Sequence, residues 1–295
     1  MTLPLPLTRI QAHLAPIGRP TLPGDLAAAT RGALGAAMMG ALCERGGPRT
    51  CVGCDLVDSC RIPTWYDPGR AGRQAVRPFV IHPPRSVQSG SGAPPVLVLD
   101  TVWVGTLPGL LLVDAFRAAA RRLGRQDTAT WELATLVVHG AGEPAVVVDG
   151  GRVRAEWPAP GSLQDRIRLP TTVHSATLRL RSRLQLDRAH TRPTLPLLVR
   201  ALVHRLRAVQ RSLDLPAEPR WPDSSDLATL DELRFEEASR ASQRQGQQVD
   251  LSGWVGSLSV GPEIAPYADL LAIGEVLQVG RHTSEGLGSY TVHWS

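Results

Sequence analysis

The chain has 295 residues, of which 43% are apolar, and this length suits two ordinary domains with hydrophobic cores. Because it lacks both an apolar run of about eighteen residues and a basic N-terminal segment followed by an apolar stretch, we expect neither a transmembrane helix nor a secretory signal, and we predict a cytoplasmic protein without a membrane partner. All 32 basic residues are arginine, whose planar guanidinium binds phosphate and stacks on bases, so the net charge of +5 favours a nucleic-acid partner.

The first half of the chain predicts the order strand, helix, strand, strand, helix, strand. These segments are 6–13, a helix after Asp25, 76–82, 96–105, 108–123 and 132–139, with a hairpin expected from 145–148 and 152–157. Asp25 suits the N-cap of the first helix. Gly32 and Gly35 cost that helix stability, and tight packing on a sheet is their preferred explanation.

All four cysteines lie within eighteen residues, in the segment 43–60. Cys51 and Cys54 form a C-x2-C knuckle, and Cys43 and Cys60 flank it. Four thiolates at this density suit a structural tetrahedral zinc ion. Two disulfides, free thiols and an iron–sulfur cluster are the alternatives, and a cytoplasmic setting argues against disulfides.

The second half repeats the order of elements. We predict strands at 176–186, 253–260 and 289–294 and helices at 195–213 and 264–277, and we leave the type of 232–241 open. Two β-α-β-β-α-β units predict an α+β protein of two tandem ferredoxin-like (RRM-like) domains. We place the domains at 1–160, with the Cys-rich insertion, and at 161–295.

The strand at 176–186 alternates leucine with arginine. Arg179, Arg181 and Arg183 therefore fall on one face and the leucines on the other. Three like charges on one strand face repel each other. A polyanion is accordingly the expected partner of this face, with salt-dependent binding.

A glycine-rich loop at 280–288 precedes the last strand. Gly280, Gly286 and Gly288 allow tight turns and close backbone approach, and Arg281 and His282 suit a phosphate and a proton. A dinucleotide-binding glycine motif follows a strand and opens a helix. Here the order is helix, loop, strand, so the pattern excludes dinucleotide binding.

The loop and its surroundings resemble a known family. The motifs are Gly253-Trp-Val-Gly256, the helix end Gly274-Glu275, the loop to Gly288, Arg31-Gly-Ala-Leu-Gly35, the cysteine knuckle and Arg77-Pro-Phe-Val-Ile-His-Pro-Pro84. Together they resemble the CRISPR-associated repeat-processing endoribonucleases, a branch of the RAMP superfamily with a C-terminal glycine-rich loop that contains a basic residue. Arg281 occupies that basic position.

The resemblance implies two ferredoxin-like domains that bind the CRISPR repeat hairpin and cleave the precursor transcript to mature crRNA. It implies attack by the 2′-hydroxyl without a catalytic metal, which leaves a 2′,3′-cyclic phosphate. It also implies that the protein stays on its product RNA and joins other subunits of an effector complex. Such chemistry needs a base, an acid and a cation that stabilises the phosphorane.

Two family positions differ in this chain. Some relatives carry a histidine at the position of Gln278. Others carry a catalytic histidine on or just after the first helix, where this chain has Ala-Ala-Met-Met at 36–39. Three interpretations follow: His282 in the loop takes over proton transfer, His13 does so from the first strand, or arginines such as Arg31 and Arg281 only orient the RNA. The predicted catalytic residues are His282, His13 and Arg281. The predicted RNA contacts are Arg31, Arg179, Arg181, Arg183, Gly280, Arg281, Gly286, Gly288 and Gln278.

Two other functions stay open from the sequence. The chain can be a crRNA-binding subunit of an effector complex that does not cleave, or a zinc-containing ferredoxin-like protein that binds another structured RNA. Incubation with a repeat RNA in EDTA distinguishes an endoribonuclease, which cuts the RNA, from a crRNA-binding subunit, which leaves it intact.

Overall fold

The computed structural model describes residues 5–22, 24–43, 51–68, 76–87, 95–107, 109–124, 129–187, 190–216, 219–242 and 247–295. The chain forms two compact units. One comprises Pro6–Ser162, and the other comprises Leu5 with Leu163–Ser295. Within the described ranges, no helix is both long and apolar enough to cross a membrane.

The N-terminal unit is a ferredoxin-like sheet with a two-strand extension. Its elements are β1 (Pro6–Ile17), α1 (Leu26–Leu42), α2 (Arg61–Trp65), β2 (Phe79–Val87), β3 (Val96–Val104), α3 (Gly109–Leu123), β4 (Thr130–His139), β5 (Ala145–Asp149), β6 (Arg152–Val153) and β7 (Gly161–Ser162). The sheet order is β2-β3-β1-β4-β5-β6, and β7 pairs with the start of β1. Leu34, Trp103 and Phe116 are fully buried in the core of this unit. The predicted order of elements is therefore confirmed for this half.

Helix α1 begins as the sequence predicts. The Asp25 carboxylate accepts a hydrogen bond of 2.9 Å from the backbone N–H of Ala28, which caps the helix. On the buried face, a Cβ at Gly35 would lie 2.4 Å from the Tyr66 hydroxyl oxygen, whereas a Cβ at Gly32 would meet nothing within 4 Å. Gly35 is thus explained by tight packing, although against Tyr66 rather than against the sheet.

These two glycines make a matched pair for a stability test. We expect Gly32→Ala to stabilise the protein by up to about 1 kcal/mol, because alanine has the higher helix propensity. We expect Gly35→Ala to destabilise it by about 1–3 kcal/mol, because the new methyl group displaces the Tyr66 ring. Urea unfolding of both variants measures the difference. Equal effects of the two substitutions would contradict the packing explanation.

The predicted zinc site is not assembled in the structure. All four cysteines are described, yet the described residues contain no group of three or more His, Cys, Asp or Glu side chains that could hold a metal ion. Cys51 is buried, Cys43, Cys54 and Cys60 are half-buried, and the Sγ atom of Cys54 lies 3.9 Å from an Asp55 carboxylate oxygen. Closeness along the chain does not make four thiols converge, because the backbone directs each side chain separately.

The C-terminal unit repeats the ferredoxin-like arrangement. Its elements are β8 (Ala176–Leu180), α4 (Leu195–Ser212), β9 (Leu230–Glu236), β10 (Ser239–Ser242), β11 (Gln247–Asp250), β12 (Gly253–Val260), α5 (Ala268–Leu277) and β13 (Tyr290–Trp294). The sheet order is β13-β8-β12-β9, and β10 and β11 form a separate hairpin. Leu178, Leu258 and Tyr290 are buried in its core. The two tandem ferredoxin-like folds predicted from the sequence are confirmed.

One predicted strand is shorter in the structure. Strand β8 ends at Leu180, whereas the leucine–arginine alternation predicted a strand to residue 186. Beyond Leu180 the chain leaves the regular ladder, and the Arg181 backbone N–H donates to the Ser289 carbonyl over 2.8 Å. We name residues 181–187 the loop-supporting segment, because the carbonyls of Arg183 and Gln185 accept backbone hydrogen bonds from the glycine-rich loop.

Candidate nucleic-acid interface

The glycine-rich loop is held by backbone hydrogen bonds on both of its sides. The two ends of the loop, its arms, are bonded to each other, since the N–H of Val279, just before the loop, donates to the carbonyl of Gly288, its last residue, over 3.1 Å. The Arg281 N–H donates to the Gln185 carbonyl over 2.8 Å, and the Gly288 N–H donates to the Arg183 carbonyl over 2.9 Å. The loop-supporting segment therefore fixes the loop as a neighbouring strand would.

Two glycines allow this close approach. Gly280 has φ 88°, and a Cβ there would lie 2.3 Å from the Gln185 carbonyl oxygen. Gly288 has φ 74°, and a Cβ there would lie 1.8 Å from the Val279 carbonyl oxygen. Both the left-handed backbone and the lack of space exclude a side chain. Gly286 is also left-handed, with φ 86°, and is buried.

Arg281 and His282 are the predicted site residues whose side chains reach the surface of the loop. Arg281 is exposed, and its Nη1 donates to the Asp187 carbonyl over 3.1 Å, which directs the guanidinium along the loop-supporting segment. His282 is half-buried and adopts a left-handed backbone with φ 58°. A cation and an imidazole are thus adjacent on one rigid turn.

Glu285 connects His282 to a second arginine. The Nδ1 atom of His282 lies 3.7 Å from Glu285 Oε2. Arg240, on β10, binds both oxygens of this carboxylate, with Nε 3.2 Å from Oε2 and Nη2 3.0 Å from Oε1. The buried Glu285 side chain is 5% exposed and therefore holds both partners in fixed positions. A carboxylate beside Nδ1 orients the imidazole and leaves Nε2 for proton transfer.

The remaining predicted RNA contacts of this unit differ in exposure. Arg179 on β8 and Arg181 in the loop-supporting segment are exposed, and Arg183 is half-buried. Gln278 ends helix α5 with φ 56° and has no exposed surface, so its side chain lies inside the fold beneath the loop. The exposed positive charges among these predicted contacts are therefore those of Arg179 and Arg181.

Arg205 supports the loop from helix α4. Its Nε donates to the Leu277 carbonyl over 2.8 Å, at the C-terminal end of α5. Burial lowers the pKa of Arg205 to about 10, so the group keeps its proton at neutral pH. A cation at this end of a helix stabilises the exposed carbonyls and the helix dipole. The sequence shows Arg205 only as one of several arginines near the basic strand, and its contact with Leu277 could not be predicted because seventy-two positions separate the two residues.

Arg31, in the N-terminal unit, has a structural partner. Its Nη2 lies 3.7 Å from an oxygen of Asp67, whose other oxygen lies 3.5 Å from Arg77 Nε. The Asp67 side chain is 3% exposed and that of Arg31 is 14% exposed. A buried carboxylate needs such positive partners, so the contacts of Arg31 explain its presence on α1 independently of RNA.

His13 belongs to a polar row on the face of β1 opposite the helices. Arg9, Gln11 and His13 alternate there with buried apolar residues. Burial and the charge of Arg85 lower the pKa of His13, although Asp100 opposes them. Its imidazole is therefore neutral at pH 7, as a proton acceptor requires.

Asp100 organises this row. The carboxylate accepts hydrogen bonds from Gln11 Nε2 over 3.1 Å and from two nitrogens of Arg9, of which Nε lies at 2.9 Å. Burial by itself would raise the pKa of Asp100, but the hydrogen bonds and charge of Arg9 outweigh it and hold this pKa below its usual range. The fold therefore favours the ionised carboxylate.

We expect Asp100→Asn to destabilise the protein by about 1–3 kcal/mol at pH 7. Because the pKa of Asp100 is lower in the folded than in the unfolded protein, the charge stabilises the fold above the unfolded pKa of about 3.9, and this contribution is lost as pH falls through the folded value. The difference between wild type and variant should therefore shrink below about pH 4. Urea unfolding at pH 7 and below about pH 4 measures this difference in stability, and Asp149→Asn, at an exposed residue, is the control. A difference that does not depend on pH would contradict this account.

Two family profiles together cover most of the chain. Residues 5–156 match the AF_1859_N N-terminal domain. Residues 169–290 match the CRISPR-associated endoribonuclease Cas6 family. The second match contains the loop-supporting segment, Arg240 and the whole glycine-rich loop.

Two solved structures of a Thermus thermophilus Cas6 share the fold. For its product complex, the identity is 16%, the match covers 97% of this chain and 100% of that chain, and the TM-score is 0.57. For the other structure, the identity is also 16%, the coverage is 98% and 99%, and the TM-score is 0.52. No curated protein matches the sequence.

Proposed function

Because the chain belongs to the Cas6 family of CRISPR repeat-processing endoribonucleases, we propose that it binds CRISPR repeat RNA and cuts the precursor once per repeat through the residues of its glycine-rich loop. The match of the C-terminal unit to the endoribonuclease family carries this proposal. The exposed arginines beside the loop supply the positive surface that an RNA backbone requires.

Cleavage proceeds by attack of the 2′-hydroxyl on the adjacent phosphate and needs no metal ion. The P–O bond to the 5′-oxygen breaks as the new bond forms, so the products are a 2′,3′-cyclic phosphate and a free 5′-hydroxyl. One proton leaves the 2′-oxygen and one is added to the 5′-oxygen. His282 performs one of these transfers, and Arg281 stabilises the charge on the phosphorane.

The support of the loop suits this chemistry. Glu285, which Arg240 binds, lies beside the His282 ring, and the loop-supporting segment holds the backbone that carries Arg281. Donors that are already in place stabilise a transition state without further reorganisation. We also propose that the protein retains its product RNA and delivers it to other CRISPR subunits.

Incubation with a repeat RNA in EDTA tests the reaction. We expect one cut that leaves a 2′,3′-cyclic phosphate, which phosphatase does not remove until acid opens the ring. The control is the same RNA with a 2′-deoxy nucleotide at the cut, which lacks the nucleophile and should stay intact. Tight binding without cleavage would favour a non-cleaving crRNA-binding subunit. Cleavage only with added divalent metal would refute the metal-independent mechanism.

A further inference from the structure

Four planar side chains contact one another in a row at one end of the C-terminal sheet. We call Arg192, Trp254, Phe235 and His190 the aromatic ladder. The Arg192 guanidinium lies over the Trp254 ring, 5.0 Å from its centroid. The Trp254 and Phe235 rings meet edge to face with centroids 5.5 Å apart, and Phe235 and His190 follow at 4.6 Å and an interplanar angle of 31°.

The ladder's middle is supported by the fold, and its ends face outward. Phe235 and Trp254 are register partners on β9 and β12 and are half-buried. Arg192 is fixed by an ion pair with Asp231, and both Arg192 and His190 are exposed. An aromatic cluster that served only as core would end on apolar side chains. This one ends on a guanidinium and an imidazole, two planar groups on which nucleic-acid bases stack.

The loop-supporting segment connects the ladder to the glycine-rich loop. Leu184 exchanges backbone hydrogen bonds of 2.8 and 3.0 Å with Trp254. The next residue, Gln185, accepts the hydrogen bond from Arg281. Consecutive residues therefore hold the ladder on one side and the loop on the other.

An RNA strand bound at Arg281 therefore passes close to the ladder, because Gln185, which binds Arg281, and Leu184, which binds Trp254, are adjacent in the loop-supporting segment.

We propose that the exposed ring of His190 stacks on one unpaired base of the RNA next to the cut. This inference rests on the proposed function and adds a recognition subsite to it. The base is held by its π face, so the subsite selects an unpaired nucleotide rather than a particular sequence. Phe235 and Trp254 stiffen the platform, which limits the entropy lost on binding.

A scan with abasic nucleotides tests the subsite. The probe is a repeat RNA that carries a 2′-deoxy nucleotide at the cut, so that it binds without cleavage, and one abasic position at a time is placed beside the cut. His190→Ala should weaken binding by about 5- to 150-fold, the range for loss of one stacked base. His190→Phe should retain most of the affinity because it keeps a planar ring. His204→Ala, at an exposed histidine on α4, is the matched control and should change nothing.

The abasic scan identifies the stacked base. One abasic position should weaken wild-type binding as much as His190→Ala does, and it should cause no further loss in that variant. Additive losses at every position, or unchanged binding of His190→Ala, would overturn the subsite while leaving cleavage by the wild type as support for the proposed function. A wild type that neither binds nor cuts the unmodified repeat would overturn the proposed function itself.

Discussion

Replacement of His282 by alanine is expected to slow cleavage of the repeat RNA by about 10²- to 10⁴-fold, the usual contribution of a positioned acid or base. The ring contributes by transferring a proton rather than by binding, so the affinity for RNA with a 2′-deoxy nucleotide at the cut should change little. Single-turnover rates at saturating protein and Kd values for the uncleavable RNA measure the two effects separately. The exposed His293→Ala is the control.

Glu285→Gln separates orientation from proton transfer. The amide keeps the size of the side chain but removes the charge that binds Arg240 and faces His282 Nδ1. We expect a smaller loss in rate than with His282→Ala and little further loss when the two changes are combined. If His282→Ala cleaves RNA at the wild-type rate, His282 takes no part in proton transfer, and His13→Ala is then the variant to examine.

Gly288→Ala should be among the most destabilising single changes in the C-terminal unit. A left-handed alanine costs about 1–3 kcal/mol, and here the new methyl group also overlaps the Val279 carbonyl, so the total exceeds this range. Gly142→Ala is the matched control, because Gly142 has nearly the same φ, 79° against 74°, with nothing within 4 Å of its Cβ position. Urea unfolding monitored by tryptophan fluorescence compares the two variants.

The difference between the two glycine variants reports the steric overlap alone. If Gly288→Ala is no less stable than Gly142→Ala, the close packing of the loop arms would be refuted. The same variant should also cut repeat RNA more slowly, because a displaced arm moves Arg281 and His282 away from their supports. Normal cleavage by a destabilised Gly288→Ala would separate the loop's shape from catalysis.

The order of elements could be predicted because each half carries regular apolar periodicity. Errors arise where local pattern and long-range pairing conflict. The leucine–arginine alternation continues past Leu180, but the chain there leaves the β8 ladder, and Arg183 and Gln185 accept backbone hydrogen bonds from the glycine-rich loop. The hairpin of β10 and β11 was not predicted, because its serine- and glutamine-rich strands lack apolar alternation. Pro262 and Pro266 similarly turn the predicted start of the last helix into a 3-10 segment.

The candidate site was only partly readable from the sequence. Arg281 and His282 are visible because they lie inside a recognisable loop. Their supports are not, because Arg240 is 45 residues away from Glu285 along the chain and reaches it only after folding. The cysteines show the opposite error, since a strong local pattern has no matching geometry among the described residues.

The early end of strand β8 has a thermodynamic consequence. Beyond β8, the carbonyls of Arg183 and Gln185 accept backbone hydrogen bonds from the glycine-rich loop, so this loop is already ordered in the free protein. A flexible glycine-rich segment would lose considerable conformational entropy on binding RNA. This loop has lost that entropy during folding instead, which leaves more of the interaction energy with RNA available as affinity.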